Sequence, residues 1–529
     1  MKSIHKIITI LLCVAAIAGC KKSFLDRPSN SQISANHFYQ TTSELRLATA
    51  SLYGGSEWWQ WNTQSWIPLG DVLSGTGSYP YNGDLVQLFT RTITAQNGLV
   101  TNGWVGLYNV IAQCNTVISA IQQQASSSIS VADKNAAIAE AKFIRAVAYY
   151  HLAVYWGAVP IVEDNNKLIK DPLLNRNIVS DVYKFVTKDL TFAAQNLPKT
   201  DEKGRVTTWS AQGMLGKVYL TMAGLGKSGS RDQALLDSAK KYAGNVCKKS
   251  NLDLLPSYYD LFKAQNNDSP ESLFALQWAG GVGYGSGNAL QMYFSPSADI
   301  LPQKTGGWEG LQPSYDLYQM YSAKDTIRRK ATIMLNGDFY PELNQAGGGY
   351  TAKATGLKKH IIGNEKDNNL PIMDGWSSPE HNAILRLADV YLVYAEAILG
   401  NNGTTSDGDA LAYFNKVRTR AGVDKVMVIT PALLRTERRV ELAFEGQYWI
   451  DLVRYSYYDP TNAVKFLNDQ DLNHGRISFS YDPKTKIATR DTIAPPVTLP
   501  ATITSFTLPI PSSELTTDPK LAQPPVPYY

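Results

Sequence analysis

Apolar positions keep a helical period over much of the chain, lose it in the middle and recover it near the end. The stretch VADKNAAIAEAKFIRAVAYYHLAVYWGAVP holds that period from near Asp133 and stops at Gly157 and Pro160, a pattern that predicts one long helix. Its alanines at 139, 141, 146, 148 and 153 let a second helix come close. NIVSDVYKFVTKDLTFAAQNLP supplies that neighbour, with Ser180 or Asp181 near its start and Pro198 at its end. TTWSAQGMLGKVYLTMAGLG and RDQALLDSAKKYAGNVCKKS make a second pair across a short Gly/Ser/Lys turn. AILRLADVYLVYAEAILG and DGDALAYFNKVRTRAG make a third far downstream. The expected fold is mainly α: tetratricopeptide-like helix pairs forming a scaffold, although the strict repeat of roughly 34 residues is missing.

Between residues 251 and 380 Gly, Ser, Asn and Pro break the apolar runs into pieces such as SLFALQWAG. This reads as a long irregular, loop-rich insertion with few short strands, the kind of segment on which binding surfaces are carried. The expected divisions are 1–19 a signal peptide, 20–40 a tether, 41–250 an N-terminal helical region, 251–380 a ligand-face insertion and 381–529 a C-terminal region. The Pro-rich end, TLPATITSFTLPIPSSELTTDPKLAQPPVPYY, is expected to lie extended over the helices.

One stretch breaks the helical pattern from within. SEWWQWNTQSW places Trp58, Trp59, Trp61 and Trp66 among polar residues instead of aliphatic ones, so it could pack a fold or grip a ligand. Composition leans toward ligand contact, because 30 Tyr and 11 Trp supply many flat side chains that offer an apolar face and still hydrogen-bond. Charge excludes little but nucleic acid: 50 basic against 46 acidic residues, with no basic cluster, is not a phosphate-binding balance. Six His leave little material for a His-based metal site or relay.

The first twenty residues set the compartment. Lys2 and Lys6 precede an apolar run from Ile7 to Ile17 that is too short to span a membrane, followed by Ile17-Ala18-Gly19-Cys20. This end resembles a bacterial lipobox, with lipid carried on Cys20, so the chain is expected to be anchored to a membrane and not to cross it. Cys114 and Cys247 then remain, as free thiols or as a pair.

Tests for chemistry return little. The glycine-rich stretch near Tyr284 fails the dinucleotide fingerprint, because Ser286 or Asn288 falls on the third glycine. Gly226-Lys227-Ser228 lacks the first glycine of a phosphate loop, since position 221 is Thr, and reads as a helix-helix turn. Asp469, Asp471 and Asn473 begin like a calcium loop, but His474 stands in place of the glycine and Ser480 in place of the bidentate Glu. Arg438, Arg439, Glu441, Glu445, Asp451 and Arg454 fall at turn spacings and read as a structural ion-pair network.

Taken together, AGCKKSFLDRPS, GWVGLYNVIAQCNTVI, AEAKFIRAVAYYHLAVYWGAVPIV, GRVTTWSAQGMLGKVYLTMAG, ILRLADVYLVYAEAIL, FNKVRTRAGV, RTERRVELAFEGQYWIDLVRY and LPIPSSELTTDP resemble, in order, the SusD/RagB outer-membrane lipoproteins of Bacteroidetes. Gln447 and Tyr448 depart from the family, which commonly has a basic pair there, and the tether lacks an acidic run. The resemblance implies a non-catalytic glycan-binding protein at the cell surface. It would be anchored to the outer membrane through Cys20, lack a cofactor or metal, and deliver oligosaccharide to a SusC-like TonB-dependent transporter. A peptide-binding lid and a lipid-anchored glycosidase are the alternatives. The family supplies no binding motif, so ligand candidates follow from position: Trp58, Trp59 and Trp61; Asp71, Tyr79, Tyr81 and Asn82 in GDVLSGTGSYPYNGD; and Trp278, Tyr284 and Tyr293 in the insertion. Trp308, in a phrase resembling a structural one of the family, is expected in the core, as are Trp66, Trp104 and Trp156.

Overall fold

Most scaffold helices begin where a side chain can satisfy their free amides. The computed structural model describes residues 38–79, 83–370, 372–491 and 497–529. Helix α1 (Thr42–Ala50) starts on a reciprocal cap between Thr41 and Glu44. Asn97 caps α2 (Gly98–Gln124), and Ser130 caps α3 (Val131–Trp156) by accepting from the Asp133 amide at 3.0 Å. Gly157, with φ of 70°, ends α3. Next come α4 (Val179–Asn196), α5 (Thr208–Met222) and α6 (Gln233–Lys249), the last capped by Asp232. The Gly226-Lys227-Ser228 segment is the turn between α5 and α6.

These helices stack in sequence, α3 against both α2 and α4, α4 against α5, and α5 against α6. The alanines at 139, 141, 146, 148 and 153 of α3 are fully buried, as the close approach of its neighbours requires. Gly216 of α5 serves the same purpose, since a Cβ there would lie 3.0 Å from that of Ala243 on α6. The stack does not end with α6, which packs on α7 (Leu387–Leu399), and α7 packs on α8 (Gly408–Arg420). The third helix pair thus continues a solenoid that the insertion only interrupts. Helices α9 (Pro431–Glu441), α10 (Tyr448–Ser456) and α11 (Pro460–Leu472) complete the helical body.

The insertion leaves and re-enters the scaffold at one place. Strands β1 (Ser272–Leu276) and β2 (Asn382–Arg386) pair antiparallel, and the Leu387 amide donates to the Glu271 carbonyl at 2.8 Å. Between them the described residues form short turns, two-residue strands and helices of at most seven residues. The C-terminus lies over the helices: the Leu508 amide donates to Tyr155 O, the Ile178 amide to Val526 O and the Val526 amide to Arg176 O. Trp156 Nε1 donates to Pro509 O, and both Trp156 and Trp104 are buried. Cys114 and Cys247 are both free thiols.

The ion-pair network expected around α9 and α10 extends far beyond them. Arg386 contacts Glu271, Glu441 and Glu445; Arg420 contacts Glu271 and Glu441; Arg328 contacts Asp325, Glu437 and Glu441. Lys359 closes on Glu445, and Arg418 on Glu437. Five cations therefore face five carboxylates inside the protein. A second cluster joins Arg438 to Asp389 and Asp451, Arg454 to Glu396 and Asp451, and Lys217 to Asp389. Gln447 belongs to it, contacting Lys217 through Oε1, so this departure from the family pattern fills a buried polar position.

These contacts set an acid limit on stability. Burial opposes the ionised form of Glu445, but Arg386 and Lys359 outweigh it and hold the carboxyl down to about 2. Glu396 is likewise held at about 2, against burial, by Arg454 and Arg231. Both folded values lie below the ordinary glutamate value, so their stabilisation is complete above about pH 4.5 and is lost as pH falls toward 2. Each contributes on the order of 3 kcal/mol. Far-UV circular dichroism should show cooperative unfolding within that window, and a fold unchanged at pH 2 would contradict it.

Candidate functional site

Residues 56–66 are the first element of the site, and the geometry divides their tryptophans. After a short α-turn (Ser56–Trp59), the backbone winds as a π-helix over Gln60–Trp66, so residues five apart share a face. Trp61 and Trp66 lie on the inner face and are fully buried. Trp61 packs on His151 and Tyr155 of α3 at 5.1 and 5.6 Å between ring centroids, and the amide of Trp61 comes so close to α2 that only Gly fits at 106. Trp58 is also fully buried, donating through Nε1 to Leu52 O at 2.8 Å. Trp59 and Gln64 lie on the other face and are both partly exposed.

Trp59 opens a run of five aromatic rings. Its centroid is 4.7 Å from that of Tyr284, which is 4.9 Å from Trp376. Trp376 in turn touches Trp308 at 5.7 Å and Tyr293 at 6.3 Å, and these two are 5.3 Å apart. Consecutive planes meet at 68 to 88°, the edge-to-face packing that aromatic pairs prefer. The cluster faces solvent: Tyr284 is 63% and Trp308 42% exposed, and Trp376, Tyr293 and Trp59 are half-buried. Gln64 Nε2 donates to the Tyr293 hydroxyl at 3.1 Å, and burial pushes that phenol above its ordinary pKa, so it stays neutral.

Backbone contacts fix these rings from four separate segments. The Val282 and Gly283 amides both donate to Ser377 Oγ, at 3.0 and 3.3 Å, tying the Tyr284 loop to the residue after Trp376. Gly287 is required there, because a Cβ would fall 2.2 Å from that of Ser377. Gly307 and Gly310 donate to Met292 O and Tyr293 O, which hangs the Trp308 turn on the Tyr293 helix. Gly54 bridges to Gln277, and its Cβ position is 2.0 Å from Gln277 O, so the Gly54-Gly55 break brings Trp59 against the insertion.

Four candidates fall away on this geometry. Trp58 and Trp61 are core residues, as above. Asp71 is fully buried, accepting from the Phe444 and Gly446 amides at 2.9 and 3.0 Å, and burial raises its carboxyl to about 7. Trp278 is buried as well, with Nε1 on Asn382 Oδ1 at 3.0 Å. Tyr79 is half-buried and packs on Phe89 at 5.0 Å, apart from the five rings. Tyr81, Asn82 and the lipidation candidate Cys20 lie outside the described residues.

Trp59, Tyr284 and Tyr293 are brought together. Trp308, expected in the core, is instead on the surface, and Trp376 at the centre of the cluster was not among the candidates. Local sequence separates these tryptophans: Trp308 and Trp376 follow glycine in GGW and DGW, whereas Trp278 lies two residues after the apolar run SLFAL that forms β1.

The carboxylates of the buried network are taken up by Arg and Lys, and the calcium-like residues Asp469 and Asp471 pair with Lys465, Arg91 and Arg476. Among the described residues no cluster of His, Cys, Asp or Glu could hold a metal ion, and no helix is long and apolar enough to cross a membrane.

A helical solenoid carrying a loop-built aromatic face is thus the class of molecule that the fold and the site define. Comparison with known proteins makes this specific: residues 270–529 match the profile of the SusD family, and residues 23–220 match the profile described as "Starch-binding associating with outer membrane". A SusD-like protein of Bacteroides ovatus is 38% identical over 100% of this chain and 98% of its own length. SusD-like protein P2 of Formosa agariphila is 26% identical over 84% of this chain and 90% of its own. The chain belongs to the SusD family. Among solved structures, one titled "with xylogluco-oligosaccharide" is 36% identical, covers 92% of this chain and 99% of its own, and superposes with a TM-score of 0.85. A "Laminarin binding SusD-like protein", at 22% identity and a TM-score of 0.68, shares the fold.

Proposed function

We propose that the protein captures an oligosaccharide on the face built by Trp59, Tyr284, Tyr293, Trp308 and Trp376. The observation that carries this reading is the solvent-facing run of five rings, each in contact with at least one other, in a protein that buries its other tryptophans. Sugar rings offer apolar C–H faces that stack on indole and phenol, and their hydroxyls can bond to groups such as the Gln64 amide and the Tyr293 hydroxyl. The relative solved with a xylogluco-oligosaccharide supports a decorated glucan as the ligand class. The protein is then a non-catalytic carrier. Cys20 would hold it by lipid to the outer membrane, facing the exterior, where it would pass its ligand to a TonB-dependent transporter. Residues 20–40 would be the tether and 251–380 the ligand-bearing excursion.

Calorimetry with xylogluco-oligosaccharides, with laminarin oligosaccharides and with a mixed peptide pool tests the reading. Binding to a glucan without release of new reducing ends is expected. Binding of peptide alone, or hydrolysis of the glycan, would overturn it.

A further inference from the structure

A second pocket lies on the helical body, built from none of the residues of the aromatic face. It is a half-enclosed cavity of about 280 Å³ between the turn before α6, the end of α7, the start of α9 and the α10–α11 junction. Four guanidinium groups line it, those of Arg231, Arg435, Arg438 and Arg454, together with the carboxylates of Glu396, Asp451 and Asp459.

The three carboxylates are already engaged. Glu396 Oε1 accepts from Arg231 and Arg454, and Asp451 accepts from Arg438 at 2.7 Å and Arg454 at 3.0 Å. Asp459 caps α11 through the Asn462 amide and also takes the Tyr455 hydroxyl at 3.1 Å. Arg438 is further paired with Asp389. Arg435 has no carboxylate partner among the described residues and lies over the Tyr455 ring at 4.9 Å.

We propose that this cavity binds a small oxyanion, either the carboxylate of an acidic sugar unit or inorganic phosphate, through Arg435. The planar fork of arginine suits both groups, and the volume suits a ligand no larger than a monosaccharide. Arg435 supplies the net charge, because the other three guanidinium groups are balanced by buried acids.

The test titrates the full chain with D-glucuronate and with phosphate, at an ionic strength held constant with chloride, by calorimetry and thermal shift. Saturable binding near ~1 mM is expected for at least one of them. Arg435→Gln should weaken it about tenfold or more, and Arg435→Lys, which keeps the charge and loses the fork, should fall between. Arg435 is partly exposed and makes no ion pair, so both variants should melt like the parent, and Trp376→Ala should leave anion binding unchanged. Glucuronate alone binding would assign the site to acidic sugars, and phosphate alone to the free ion. No saturable binding of either anion, or binding indifferent to Arg435→Gln, would overturn the proposal.

Discussion

Replacing Trp376 with alanine is expected to weaken glycan binding about 30-fold or more while leaving the fold intact. Trp376 is the one ring that touches three others, Tyr284, Trp308 and Tyr293. Its removal therefore takes away a stacking surface and the packing that orients its neighbours. Central aromatic anchors of this kind cost 2 kcal/mol or more on truncation, about a 30-fold loss of affinity. Tyr284→Ala should cost less, because that ring touches two others instead of three and is mostly exposed. Calorimetry against a xylogluco-oligosaccharide, alongside a thermal melt, decides the matter. Affinity within about threefold of the parent would remove the aromatic face as the site.

The second large effect concerns stability. Arg386→Ala should destabilise the protein by about 3 to 5 kcal/mol, because it strips a buried cation from Glu271, Glu441 and Glu445 together. Arg420, Arg328 and Lys359 would remain, so the ten-charge cluster would be left with an uncompensated carboxylate. Lys248→Ala, which breaks an exposed pair with Asp409, is the control and should barely move the urea midpoint. A midpoint for Arg386→Ala equal to that of the control would show that the buried cluster reorganises around the loss.

Much of the scaffold was legible in the sequence because helix pairs are local. Period, caps and breakers sit within twenty or thirty residues of one another, and the third pair was visible even though it joins α6 only after a long excursion. The charge network was half legible. Turn spacing marked Arg438, Glu441, Glu445 and Arg454, but their partners Arg328, Lys359, Arg386, Arg420 and Asp389 come from segments that no periodicity connects.

The site was legible only in part. Glycine before Trp308 and Trp376 indicated loop tryptophans, and the five-residue offset between Trp61 and Trp66 matches a buried face once the π-helical winding is known. That winding, and the meeting of residues 59, 284, 293, 308 and 376, depend on tertiary contacts such as Gly54 against Gln277. Asp71 misled because a carboxylate in a glycine-rich loop looks like a ligand group, whereas here it ties down the backbone after α9.

The hydrogen bond between Leu387 and Glu271 has an evolutionary meaning. Because the excursion departs and returns at neighbouring strands, lengthening it adds little closure entropy, only about 0.6 kcal/mol per doubling. The solenoid can therefore accept new recognition loops without redesign of its own packing. Trp59 is the exception: it is contributed from the scaffold side, and any exchanged cassette would have to fit against that fixed ring.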